Sequence, residues 1–443
     1  MSLEELFSFM DSRRVLTAEE ERVLYSYDAA PRRCMPEVVL RPVDEEEVVE
    51  IVRVCTEEGV GLTPRGAGTS LCGASVASGG RHAVVDFTLM NRILEVDEDN
   101  RYVLAEPGVV YQELNRALEG YGLFFPPDPA SGSVCTIGGM VAMNSSGMRA
   151  VRYGTTREYV ASLRVAVAGG EVLTLGGRYV KSSSGYDLLG LFVGSEGTLG
   201  AFTEIGLRVL PKPEHSSVVG AEFETPEQAC RAVLPLLRRT RTLSVVELMD
   251  ARVVRATGGE EALSGWQGGA VLVCESEGFR EGEVEEEVRI AAEVLQRHGG
   301  RVLEADAEQV WGCRRGALPA LAELAENLLL EDVTVPVSEL PGMLRGIEEV
   351  SERYGVEIAV FGHAGDGNLH PTFLWDGEDA PEEAVEELFR RCIALGGTLS
   401  GEHGIGTEKR RFMRFEHGSA LEVMRTIKQA VDPRGVFNPG KVV

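Results

Sequence analysis

Three of the seven histidines in the chain fall in two short glycine-flanked stretches, His363-Ala364-Gly365-Asp366-Gly367-Asn368-Leu369-His370 and Ser400-Gly401-Glu402-His403-Gly404. Apolar runs flank the first stretch, and Asp366-Gly367 is a pair favoured in two-residue hairpin turns. A turn there pairs 365 with 368 and 364 with 369, and sets His363 opposite His370. Directly opposed strand positions hold their Cβ atoms about 4.5–5.5 Å apart, so both imidazoles reach one cation. The second stretch adds a carboxylate and a third imidazole. Two imidazole nitrogens and one carboxylate make an open site for Zn, Mn or Fe. Each histidine taken singly also suits a hydrogen-bonded core position, but flanking glycines are unusual for ordinary packing.

Glycine marks a second kind of chemistry. Pro64-Arg65-Gly66-Ala67-Gly68-Thr69-Ser70 and Gly194-Ser195-Glu196-Gly197-Thr198-Leu199-Gly200 put glycines where side chains would block a flat or phosphorylated ligand. Backbone N–H groups freed in such loops form a nest that holds a pyrophosphate without net positive charge. Neither loop is followed by Gly-Lys-Ser/Thr, and neither has the spaced GxGxxG of a Rossmann turn. Between them, Phe125 to Gly154 carries Pro127-Asp128-Pro129, Thr136-Ile137-Gly138-Gly139 and Asn144-Ser145-Ser146-Gly147, more glycine and small polar residue than a connector needs. Further on, Trp311-Gly312-Cys313-Arg314-Arg315 reads as the start of a helix. An arginine there suits a carboxylate ligand, because its planar fork donates two parallel bonds.

The elements that must position these residues alternate in type. Val48, Val49, Val52 and Cys55 have helical spacing over Glu45 to Glu58, and Gly59 stands where that helix should stop. Short apolar runs at 83–87, 93–96 and 102–105 read as strands, and 110–121 as a second helix. Residues 163–175 around Gly169-Gly170 read as a hairpin, and 202–210 as a strand before Pro211-Lys212-Pro213. Beyond that proline pair, Thr225-Pro226-Glu227 gives a helix cap and a first-turn proline, and strands are expected near 243–249, 270–275, 356–363 and 369–374. The reading is α+β, with a helical N-terminal segment at 1–35, one domain at 36–213 and another at 214–443.

Composition removes several functional classes. Lys and Arg number 44 against 70 Asp and Glu, a net charge of −26 that repels nucleic acid and anionic lipid. No apolar run reaches the length of a membrane span, and Met1-Ser2-Leu3-Glu4-Glu5 lacks the order of a signal peptide, so a cytoplasmic location is expected. Eight scattered cysteines without CxxC argue against a disulfide framework or a cysteine zinc site.

Taken in order, the five motifs at 64–69, 127–129, 136–139, 144–147 and 194–200 resemble the flavin-binding half of the vanillyl-alcohol oxidase/p-cresol methylhydroxylase superfamily. From about residue 36 to the C-terminus the chain is similar to the branch of glycolate oxidase flavoprotein subunits and D-lactate dehydrogenases. The resemblance implies a two-part FAD-binding domain and an α+β cap domain for substrate. It implies FAD contacts from Pro64, Arg65, Gly66, Ala67, Gly68, Thr69, Ser70, Pro127, Asp128, Thr136, Ile137, Gly138, Gly139, Asn144, Ser145, Gly147, Glu196, Gly197, Thr198, Leu199 and Asn438, the last in a C-terminal segment that returns to the flavin. Thr69 stands where relatives with covalent flavin often carry histidine, so non-covalent FAD is implied. His363, His370 and Glu402 match the family's metal ligands, His403 its base and Arg314 its carboxylate-binding arginine. The implied reaction is oxidation of a D-lactate- or glycolate-type 2-hydroxy acid to the 2-oxo acid, with Zn, Mn or Fe assisting. A quinone, a cytochrome, an electron-transfer flavoprotein, an iron–sulfur partner or oxygen would take the electrons, and any attachment to a membrane would run through such a partner. Val337 stands where many glycolate- and lactate-type members carry a basic residue, and Leu330 where the hydroxyglutarate type has a lysine; a D-2-hydroxyglutarate-type substrate and a non-catalytic flavoprotein subunit are the alternatives.

Overall fold

In the computed structural model, which describes Leu3–Val443, the first expected helix runs Glu45–Glu58. Asp44 caps it by accepting the Glu47 N–H at 2.9 Å, and Gly59 ends it in the left-handed region at φ +65°. Its apolar face, Val48, Ile51, Val52 and Cys55, shares one core with Val38, Leu40, Leu62 and Val85. These belong to a four-stranded sheet in the order Val15–Leu16, Val38–Leu40, His82–Asp86, Gly61–Arg65, whose last three strands are parallel. The outer side of Gly61–Arg65 is covered from far along the chain. Leu62 N–H donates to Val436 O at 2.7 Å, and Asn438 N–H donates to Leu62 O at 2.8 Å.

An antiparallel five-stranded sheet follows, in the order Ile93–Asp97, Tyr102–Ala105, Ala201–Arg208, Val160–Ala166, Val172–Gly176. The segment expected to be helical at 1–35 holds the short helices Leu3–Leu6 and Glu19–Arg22, single 3-10 turns, and the strand Val15–Leu16; Met1 and Ser2 lie outside the described residues.

By contacts the chain divides into two units. The first comprises the residues up to Ser146, Thr155–Lys212 and Glu402–Val443, and the second Gly147–Gly154 with Pro213–Gly401. The sequence reading keeps 214–443 together. In the structure Glu402–Val443 packs with the first unit, because its hydrogen bonds run to Leu62, Cys72 and Ala74.

The second unit is an antiparallel sheet in the order Leu263–Ser264, Arg301–Ala305, His215–Phe223, Ala270–Gly278, Leu243–Met249, Glu357–His363, Asn368–Trp375, Asn327–Leu330, with Val333–Thr334 also pairing Asn368–Trp375. The longer helices are Pro226–Arg239, Glu281–Arg297, Leu340–Tyr354 and Glu382–Ala394.

Two local expectations are corrected here. The hairpin between the histidines turns through four residues, not two, so His363 pairs with Asn368 and His370 with Phe361. The ladder stops at His363 because the turn is captured from both sides: Gly365 N–H donates to Val246 O at 3.1 Å, and Gly367 O accepts Val335 N–H at 3.1 Å. The arginine helix begins earlier than expected, as Ala307–Arg315. Asp306 caps it by accepting Gln309 N–H at 2.9 Å, and Arg314 therefore sits in the last turn.

Candidate active site

In the second unit, pairing alone gathers the polar residues. Glu247 pairs with His363, His363 with Asn368 and Asn368 with Thr334, a row across four strands. Met249, Phe361 and His370 form the adjacent row two residues away, hence on the same face. His363 and His370 are diagonal rather than opposed, yet still meet: their Nε2 atoms lie 3.4 Å apart, and both side chains are buried.

A carboxylate that the sequence reading missed organises this face. Glu247, fully buried, receives His363 Nδ1 on Oε1 at 2.5 Å and Arg314 Nε on Oε2. Burial alone would raise its carboxyl; Arg314 and His363 outweigh that and hold it below its ordinary value. Arg314 is 6% exposed, with its guanidinium 4.6 Å from the centre of the Phe361 ring. Its Nη1 and Nη2 donate to nothing among the described residues, so the fork keeps one edge for a ligand. Asp332 is the second residue missed. It accepts Asn368 Nδ2 and Ser400 Oγ, each at 2.6 Å, and lies 3.9 Å from His370 Nδ1. The signal for both was present: an acidic residue in a continuous apolar stretch, Leu243-Ser244-Val245-Val246-Glu247-Leu248-Met249 or Leu328-Leu329-Leu330-Glu331-Asp332-Val333, must find partners when buried. The donor set fits a divalent metal. With Nδ1–H given to Glu247, His363 turns a lone pair on Nε2 toward His370.

In the first unit the glycine motifs converge on Glu196. Held at φ +53° and 6% exposed, it accepts Ile405 N–H at 2.8 Å and Gly406 N–H at 2.7 Å, with Cys72 Sγ at 3.7 Å. The Glu196 side chain thus grips the backbone just after His403. A Cβ on Gly404, at φ +86°, would stand 2.4 Å from Met143 Cε, which explains the glycine there. Ser146 Oγ donates to Glu402 at 3.0 Å, and His403 Nε2 lies 4.0 Å from the same carboxylate group. Asn438 Nδ2 ties Glu196 O at 2.7 Å to Ala74 O at 3.1 Å. Beside it, buried Lys441 donates to Ala74 O, Val76 O and Asn438 Oδ1 at 2.8, 2.5 and 2.8 Å. Burial lowers that ammonium to about 7. The expected motifs at 64–70, 127–128, 136–145, 196–199 and 438 all belong to this unit, whereas Gly147 belongs to the second.

Arg65 does not present its charge outward. It is 7% exposed, its Nη1 donates to Tyr27 O at 2.9 Å and Ser75 O at 3.1 Å, and a Cβ on Gly68 would fall 2.1 Å from Nη2. The loop is therefore laid directly over a guanidinium. Gly66 is equally constrained, since a Cβ would meet Thr136 Oγ1 at 2.1 Å. Above them, the backbone N–H groups of Ala67 to Thr69 donate to no described residue. Free donors in a glycine loop over a buried cation fit a pyrophosphate.

Residues 36–176 match the family described as FAD binding domain, and 212–442 match the C-terminal domain of FAD linked oxidases. The chain belongs to the FAD-linked oxidases and is an FAD-dependent oxidoreductase. It is 38% identical over 435 residues to glycolate oxidase subunit GlcD of Bacillus subtilis, covering 95% of this chain and 92% of that one. Over 461 residues it is 34% identical to a D-lactate dehydrogenase of Anaerostipes hadrus, covering 99% and 96%. Among solved structures, p-cresol methylhydroxylase with substrate bound superimposes with a TM-score of 0.80 at 17% identity, covering 99% of this chain and 96% of that one. An alkyldihydroxyacetonephosphate synthase gives 0.79 at 19%, covering 99% and 84%. At such identities the likeness establishes the fold. Among the described residues no helix is long and apolar enough to cross a membrane.

Proposed function

We propose that this chain oxidises a 2-hydroxy acid of the D-lactate or glycolate type to the 2-oxo acid, with FAD held non-covalently and a Zn or Mn ion, or Fe, held by His363, His370 and Glu402. The observation that carries the reading is the pair of buried imidazoles with their Nε2 atoms 3.4 Å apart in an FAD-linked oxidase whose relatives are named glycolate oxidase subunit and D-lactate dehydrogenase. FAD, when bound, supplies the acceptor for the hydride leaving C2 of the substrate. The metal supplies a Lewis acid that lowers the pKa of the 2-hydroxyl. His403 takes the hydroxyl proton, and Arg314 grips the substrate carboxylate with the Nη edge left free by Glu247. Electrons leave to a separate cytoplasmic or membrane-associated acceptor.

Screening 2-hydroxy acids for anaerobic bleaching of the flavin tests this without knowledge of the acceptor. Bleaching by D-lactate or glycolate is expected, and a flavin left oxidised by every 2-hydroxy acid would overturn the reading.

Two further results are expected. Acid or heat should release the yellow chromophore into solution, because Thr69 offers no histidyl link; flavin precipitating with the polypeptide would contradict this. Arg314→Lys should lower kcat/KM by about 10–100-fold, the loss of one charge-assisted bond of the fork, a larger effect than on stability because the charge beside Glu247 is kept. Parent-like kinetics would remove Arg314 from the carboxylate site.

A further inference from the structure

We infer that Glu247 is a positioning residue that sets the tautomer and aim of His363 and, through the same carboxylate, fixes Arg314. The inference rests on the metal reading above and adds a residue to it. Glu247 and His363 are direct cross-strand partners, so the side chains leave the sheet side by side. With Oε1 receiving the imidazole Nδ1–H, the lone pair of His363 is confined to Nε2, the atom that faces His370 Nε2. A neutral imidazole without a partner on Nδ1 divides its proton between the two nitrogens, and the form protonated on Nε2 would have to shift tautomer before binding a cation there.

The second oxygen of Glu247 is held as well. Arg314 Nε occupies Oε2, and its guanidinium is stacked on Phe361, the cross-strand partner of His370. Each member of the cluster is thus fixed by another: Glu247 by the N–H donors of His363 and Arg314, His363 by Glu247, Arg314 by Glu247 and Phe361. A carboxylate behind a metal-binding histidine both orients the ring and raises its basicity, and its loss typically costs 10–100-fold in metal affinity.

The test is zinc affinity of the flavin-loaded protein, measured by competition with a chelating indicator and read independently of turnover. Glu247→Gln keeps the shape but cannot accept both N–H donors, and should weaken zinc binding about 10–100-fold. Glu247→Asp should recover part of the loss. Asp250→Asn serves as the control, since Asp250 is an equally buried carboxylate held by the backbone N–H groups of Val253 and Val360 and should change stability alone. If Glu247→Gln fails to fold because Arg314 is left unpaired, Glu247→Gln combined with Arg314→Met removes both charges and should show the same loss. Parent-like zinc affinity in the folded variant overturns the inference. Parent-like affinity in His370→Ala would instead overturn the metal reading itself, so the two failures are separable.

Discussion

Removing the divalent metal, by chelation or by His370→Ala, is expected to leave the bound-flavin spectrum intact and to slow its bleaching by the 2-hydroxy acid at least about 10³-fold. A 2-hydroxyl is a very weak acid, and a bound divalent cation can lower the pKa of a coordinated hydroxyl by several units, each worth about 1.4 kcal/mol. Without that shift the proton leaves only at prohibitive cost. Flavin retention should be unaffected because the two imidazoles lie in strands of the second unit, whereas the glycine loops belong to the first. Zinc or manganese should restore the chelated protein but not His370→Ala. Metal content and the anaerobic reduction rate decide the matter, and reduction at the parent rate in His370→Ala removes the metal from the reaction.

Replacing His403 with alanine is expected to slow flavin reduction about 10²–10⁴-fold while metal and flavin contents stay at parent values. The backbone following His403 is held by Glu196 through the N–H groups of Ile405 and Gly406, contacts the substitution does not touch. Ser146 likewise holds the Glu402 carboxylate independently of the imidazole. Loss of metal from His403→Ala would make His403 a ligand and force the roles to be redrawn.

Local signals in the sequence were sufficient for local structure. Asp44 and Gly59 bracket the helix Glu45–Glu58, and Thr225-Pro226 opens the helix Pro226–Arg239, because caps and glycine stops act within a few residues. The histidine hairpin shows the limit. Asp366-Gly367 favours a two-residue turn, but bonds from Val246 and Val335 open it to four, and no property of residues 363–370 discloses those neighbours. Glu247 was passed over because its strand reads as a buried apolar run, although a lone carboxylate there is itself a demand for partners. Arg65 shows the same limit. Its burial under Gly68 depends on Tyr27 and Ser75, which the motif does not contain.

The strand Gly61–Arg65 receives its outer neighbour, residues 436–438, only after the entire stretch 213–401 has been synthesised. At ordinary ribosomal rates that interval lasts roughly 10–40 s, during which the segment after the glycine loop lacks the Asn438 and Lys441 bonds to Ala74 O. Until then the strand Gly61–Arg65 keeps an edge with unpaired backbone groups. Residues 436–441 are thus the clasp that closes the first unit, joined to it long after its own sheet has been made.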